Sequence, residues 1–219
     1  MASSTRWADL RLRTLSAAIL IPLALLALWL GGWFWLALAG IAVGALAAEW
    51  RAMCARKPNA VLLIAGLVYF GIGGAALYLL RLDAESGIEN VLFVLLLVWA
   101  TDIGAYIAGR LIGGPKLAPT ISPGKTWSGA VGGTLAALAV ALAFGATSRG
   151  LEAALALSVV SQLGDLAESA AKRHFGVKDS GRTIPGHGGA FDRLDGLLAA
   201  APLAALLALA HGPGHALWR

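Results

Sequence analysis

From Ser169 to Asp195 the chain reads SAAKRHFGVKDSGRTIPGHGGAFDRLD, which sets Lys172, Arg173, Lys178, Asp179, Arg182, His187, Asp192, Arg193 and Asp195 among glycines and a proline. Such a mixture suits chemistry on phosphates. Cationic side chains neutralise the anion, and carboxylates hold a hard cation that bridges to its oxygens. The rest of the chain can spare little charge, since 58% of its 219 residues are hydrophobic and only 13% are charged. A basic loop that merely obeys membrane topology has no use for interleaved aspartates or a Pro-Gly-His-Gly-Gly turn. The run therefore predicts a polar reaction centre.

Asp192 and Asp195 stand three apart on the opening turn of the last apolar run, so both carboxylates can point at one spot. Two such groups repel unless a cation neutralises them, and an oxygen-only set suits Mg²⁺. Upstream, Asp165, Glu168 and Lys172 share one face of a helix, and Asp165 can supply a third oxygen ligand. The expected metal set is Asp165, Asp192 and Asp195. Carboxylates inside apolar segments usually line a polar site, and the same reading covers Asp102, paired with Tyr106 one turn later.

Two glycine-bearing stretches add anion-binding potential. In Pro185-Gly186-His187-Gly188-Gly189 the glycines let backbone N–H groups approach a phosphate, with His187 as a further contact. Ser122, Lys125 and Thr126 precede a predicted helix, where free N–H groups attract anions. Gly124-Lys125-Thr126 imitates the end of a Walker A loop, but Pro119 occupies the position of its first glycine and no strand is expected before it. Lys125, on a loop at the membrane surface, is expected to serve a lipid phosphate, and Lys172 a nucleotide.

The positioning elements are apolar helices. A mean hydropathy of +0.76 and repeated long apolar runs predict an all-α, polytopic helical membrane protein. The run Leu15–Ala48 exceeds one span and breaks at Gly31-Gly32, so it reads as a hairpin with Trp29, Trp33 and Trp35 as interfacial aromatics. Later spans are expected at Ala60–Leu80, Ile88–Leu111, Ser128–Thr147, Leu151–Ala167 and Leu194–Ala210, making about seven. Residues 1–100 form the N-terminal spans and 101–219 the catalytic membrane region. With the N-terminus inside, every Lys and Arg except Arg81, Arg149 and Arg219 falls on the cytoplasmic side, Arg6, Arg11 and Arg13 included. The apolar pattern runs on past Ala37-Leu38-Ala39, so the first segment reads as uncleaved rather than as a signal peptide.

The net charge of +5 follows lipid headgroups rather than nucleic acid, because the basic residues cluster at the ends of apolar runs. A single cysteine, Cys54, excludes an intrachain disulfide and a Cys-based metal site. The four histidines form no zinc pattern, and Gly-x-Ser-x-Gly, His-Glu-x-x-His and Gly-x-Gly-x-x-Gly are all missing.

The run from Ser169 to Asp195, with Asp102-x-x-x-Tyr106, Ser122-Pro123-x-Lys125-Thr126 and Gln162-x-Gly164-Asp165-Leu166-x-Glu168-Ser169 upstream, resembles the phosphatidate cytidylyltransferase (CDP-diacylglycerol synthase) family. Two departures stand out: Gly124 replaces a common second lysine, and the chain is short for the family near its N-terminus. The resemblance implies transfer of the cytidylyl group of CTP to phosphatidic acid, giving CDP-diacylglycerol and pyrophosphate. It also implies Mg²⁺, an accessory monovalent cation such as K⁺, a homodimer, and a bacterial-type inner membrane with the site facing the cytoplasm. On this reading Asp165, Lys172, Asp192 and Asp195 are catalytic, and Asp165, Asp192 and Asp195 hold metal. Asp102, Tyr106, Ser122, Lys125, Thr126, Glu168, Arg173, Lys178, Asp179, His187, Gly188, Gly189 and Arg193 contact substrate or support those that do. The CDP-alcohol phosphotransferases are the enzymatic rival, since Asp192-x-x-Asp195-Gly196-x-x-Ala199 imitates their motif. It fails at Ala200, where they need arginine, and no aspartate follows Asp195. A small ion or lipid transporter using Asp102 and Asp165 is the non-enzymatic rival, but no inverted repeat is visible.

Overall fold

The computed structural model describes the backbone of residues 2–219, with the side chains of Leu12 and of 14–219. The side chains of Arg6, Arg11 and Arg13, on which part of the orientation argument rests, lie outside the described residues. Among the described residues seven helices follow in order: α1 (Ala2–Leu30), α2 (Gly32–Cys54), α3 (Ala60–Leu82), α4 (Gly87–Leu111), α5 (Trp127–Ala143), α6 (Ser148–Phe175) and α7 (Phe191–His211). Among the described residues five of them, α2, α3, α4, α6 and α7, are long and apolar enough to cross a membrane, and Thr14–Leu30 and α5 are shorter apolar helices. The protein is a polytopic helical membrane protein.

Local chemistry sets the helix ends. Gly31, at φ 63, breaks the first apolar run where the glycine pair predicts it. Asn59, Thr126 and Thr147 cap α3, α5 and α6 by accepting from the N–H groups of Leu62, Gly129 and Gly150. Gly176 closes α6 in the left-handed conformation. Two expectations change. α6 runs on to Phe175, so Asp165 and Glu168 lie inside the helix and Lys172 falls in its last turn. Between α4 and α5, β1 (Lys116–Ala118) and β2 (Ser122–Thr126) form an antiparallel hairpin, where no strand was expected before Gly124-Lys125-Thr126. Lys125 and Thr126 thus sit on a strand, unlike a Walker A loop.

α4 packs chiefly on α5, and α6 on α7. Small residues make the second of these contacts possible: a Cβ on Gly164 would lie 2.9 Å from the carbonyl oxygen of Asp195, so only glycine lets α6 and α7 meet there. A second anchor lies beneath the polar loop. Trp50 of α2 meets Phe70 of α3, Phe175 of α6 and Phe191 of α7 edge-on, at centroid distances of 5.9, 5.5 and 6.1 Å. Trp29 and Trp33 are exposed as interfacial aromatics should be, but Trp35 is buried and donates to the carbonyl of Leu77 at 3.0 Å, because its face of α2 turns toward α3.

Helix alternation gathers the polar motifs at one end. The opposite end is closed by the C-terminal segment. Trp218 packs on Phe93 and Phe144, the Leu217 N–H donates to Asn90 at 2.9 Å, and the Gly214 N–H donates to Asp83 at 2.8 Å. The backbone N–H groups of Ser86 and Gly214 hold the Asp83 carboxyl down at about 2. A depressed carboxyl contributes stability above its ordinary range, and the contribution fades as pH falls toward the depressed value. The Gly214 amide resonance is therefore expected to titrate near 2 and to lose that titration in Asp83→Asn. A midpoint of about 4, the ordinary carboxylate value, would sink this account of the tail.

Candidate active site

Three carboxylates meet where α6 faces the start of α7. Asp165, Glu168 and Asp195 each offer an oxygen, and these atoms lie within 4.8 Å of one another. Glu168 is only 2% exposed. Its Oε1 lies 2.6 Å from Lys172 Nζ, in an ion contact without the alignment of a hydrogen bond. Lys172 also donates to Asp192 Oδ1 at 2.8 Å. On the other flank Lys125 Nζ lies 2.6 Å from Asp165 Oδ2. The arrangement is a triad of carboxylates between two ammonium groups. Lys125 and Lys172, expected to serve separate phosphates, face one cluster.

The sequence placed Asp192 in the metal set; the structure groups Glu168 with Asp165 and Asp195 instead. Asp192 is committed elsewhere. Besides Lys172, it accepts through Oδ2 from the Ser180 N–H and the Gly189 N–H, each at 3.0 Å, with the Ser180 hydroxyl 3.1 Å away. The donor set of the triad fits a hard divalent cation: all oxygen, mutually close, and with a buried Glu168 oxygen short of hydrogen bonds.

Beside the triad opens a cavity of about 500 Å³, lined by Asp102, Tyr106, Arg110, Lys125, Gln162 and Asp165 among others. Its size lies in the range of small-molecule sites. Arg110 donates to the Tyr106 hydroxyl at 3.1 Å, and Gln162 reaches the Thr134 hydroxyl at 3.2 Å. A cavity of about 390 Å³ at the opposite end lies under the C-terminal segment, away from the carboxylates.

The remaining predicted residues divide. Thr126 lines the cavity, but its hydroxyl is used as the α5 cap. Ser122 is half-buried on β2. Arg173 donates to the Ile121 carbonyl at 3.2 Å and so fastens α6 to the hairpin. Lys178 and Asp179 are exposed on the loop after α6. His187 shares a hydrogen bond with Ser16 of α1 at 2.8 Å, and Arg193 grips the His187 carbonyl at 2.8 and 3.0 Å. Ile184-Pro185-Gly186-His187 is a turn closed by the His187 N–H on the Ile184 carbonyl at 3.0 Å, with Gly186 at φ 78. Gly188 also has positive φ, and the N–H of Gly189 is taken by Asp192. Expected as a phosphate cradle, Gly189 has its backbone donor engaged within the protein.

A family model described as the cytidylyltransferase family matches residues 55–210, which hold the triad, both lysines and the cavity. The chain belongs to the cytidylyltransferase family. Relatives named phosphatidate cytidylyltransferase occur in Brucella suis and Brucella melitensis, each 54% identical over 145 residues, covering 64% of this chain and 54% of the relative. Another of that name, from Staphylococcus saprophyticus, is 46% identical over 156 residues, covering 68% of this chain and 59% of the relative. The chain thus spans between 54% and 59% of the length of these relatives.

Glu49 was missed by the sequence reading. It is an acid in an apolar helix, the same signal that drew attention to Asp102 and Asp165. Only 5% exposed, it accepts from the Ser180 hydroxyl and from the N–H groups of Ala190 and Phe191.

Proposed function

We propose that this protein transfers the cytidylyl group of CTP to phosphatidic acid, yielding CDP-diacylglycerol and pyrophosphate. The observation that carries the reading is the carboxylate triad held between Lys125 and Lys172 at the mouth of a nucleotide-sized cavity. The names of the relatives support the same substrates.

A phosphate oxygen of phosphatidic acid attacks the α-phosphorus of CTP. That P–O bond forms as the bond to the β-phosphate breaks, and pyrophosphate leaves with the electron pair. The attacking phosphate is already anionic, so no general base is needed. The difficulty is bringing two anions together in line. Lys125 and Lys172 lie on opposite flanks of the triad and lower that repulsion from both sides. Asp165, Glu168 and Asp195 would hold Mg²⁺, which when bound supplies charge neutralisation at the phosphate oxygens. Asp192 holds Lys172 in place, and Asp102, Tyr106 and Arg110 line the nucleotide cavity. An accessory monovalent cation such as K⁺ and a homodimer belong to the same reading, as does a bacterial-type inner membrane with the site facing the cytoplasm, where CTP is found.

Purified protein in phosphatidate-containing micelles, given labelled CTP and Mg²⁺, is expected to release CDP-diacylglycerol and pyrophosphate in equal amounts. A chelator is expected to abolish release, and graded Mg²⁺ to restore it. Lipid product undiminished by the chelator would remove the divalent cation from the reading. No product at any Mg²⁺ concentration would overturn the reading itself.

A further inference from the structure

We infer that Glu49 is a positioning residue of this site: from α2 it clamps the loop between α6 and α7 and sets the origin of α7, and with it Asp192 and Asp195. The inference rests on the function proposed above. Glu49 lies outside the matched stretch of residues 55–210, so the family match does not reach it.

Among the described residues, the four hydrogen-bond partners of the Glu49 carboxylate come from one short segment. Oε1 accepts from the Ala190 N–H at 2.8 Å and from the Thr183 hydroxyl in a short contact. Oε2 accepts from the Phe191 N–H at 3.0 Å and the Ser180 hydroxyl at 2.9 Å. A carboxylate has no proton to donate, and four donors converge on it in a buried place. The residue preceding α7 is Ala190, which has no side chain able to cap the helix. Glu49 supplies that cap from another helix, placing negative charge at the positive end of α7.

The neighbouring backbone is shaped around this carboxylate. A Cβ on Gly189 would lie 2.6 Å from Glu49 Oε2, and one on Gly181 would lie 2.7 Å from Oε1. Both glycines are therefore required for the loop to close on Glu49. The Ser180 hydroxyl lies within reach of Glu49 and of Asp192 Oδ2 at once, so the clamp continues directly into the group that holds Lys172. Asp195 follows Phe191 by about one helical turn, so a shift of the first turn of α7 moves it relative to Asp165 and Glu168. Transfer of this kind is sensitive to displacements far smaller than those needed to unfold a helix.

Glu49→Gln keeps the shape but turns one acceptor into an NH₂ donor facing a donor. In the full chain it is expected to lower kcat about 30-fold per folded enzyme while leaving both KM values within about threefold, because binding groups stay while alignment is lost. Trypsin cleavage at Lys178 and Arg182 in the loop is expected to quicken about tenfold in the same variant. Unchanged kcat overturns the inference, even with faster cleavage, and so does a kcat loss with unchanged cleavage. If the parent protein transfers no cytidylyl group, the function reading fails alone, and the cleavage rate still decides whether Glu49 clamps the loop. Should Glu49→Gln not accumulate, Thr183→Val removes one of the four donors and is expected to cost about fivefold in kcat, with KM unmoved. Wild-type kcat in that variant overturns the inference too.

Discussion

Asp195→Asn and Asp165→Asn are each expected to lower cytidylyl transfer about 100-fold or more without unfolding the protein, the range found for groups that stabilise developing charge. Each swap preserves side-chain shape and removes one unit of charge from a triad whose oxygens lie within 4.8 Å. Glu168→Gln belongs with them, since Glu168 completes that triad and is almost fully buried. All three variants should need more Mg²⁺ to reach half-maximal rate. Asp192→Asn should differ. Its carboxylate is occupied by Lys172, Ser180 and Gly189, so it should lose kcat with the Mg²⁺ dependence unchanged. The two classes separate in one titration of rate against Mg²⁺. An Asp192→Asn enzyme that shifts the Mg²⁺ requirement as far as Asp195→Asn does would return Asp192 to the metal set. Near-wild-type turnover in Asp165→Asn would strike that residue from the set.

The helices were legible because membrane spans write themselves in composition: apolar runs and a glycine break at Gly31 mark them directly. The chemical residues were legible for the complementary reason, as charge in an apolar chain is expensive and therefore informative. Helical spacing alone, however, could not decide between Asp192 and Glu168. Asp192 and Asp195 share a helix face by spacing, yet a loop twelve residues upstream of Asp192 brings Ser180 to its carboxylate and diverts it. Glu49 carried the same signal, an acid in an apolar helix, but its role could not be read from spacing. Its partners lie more than 130 residues away and are mostly backbone N–H groups and hydroxyls, which leave no charge pattern in the sequence. The hairpin of β1 and β2 is too short and too rich in proline and glycine to carry a strand signal.

Lys172→Ala is expected to depress kcat about 100-fold, for two reasons that act together. It removes a cation from the flank of the triad, and it leaves Glu168 buried with no counter-charge beside Asp192. Lys172→Arg should recover only part of the loss, because a planar fork cannot replace a point charge that contacts two carboxylates at 2.6 and 2.8 Å. Lys125→Ala should be milder, about tenfold, since its pair with Asp165 is partly open to solvent and partly screened. The form of that loss matters more than its size. Lys125 contacts the same triad as Lys172, so its removal should shift the apparent KM for CTP and for phosphatidate together. The hairpin would then serve the reacting phosphates jointly. A change confined to the phosphatidate KM would instead show that Lys125 attends the lipid alone, and that its contact with Asp165 is broken when substrate binds.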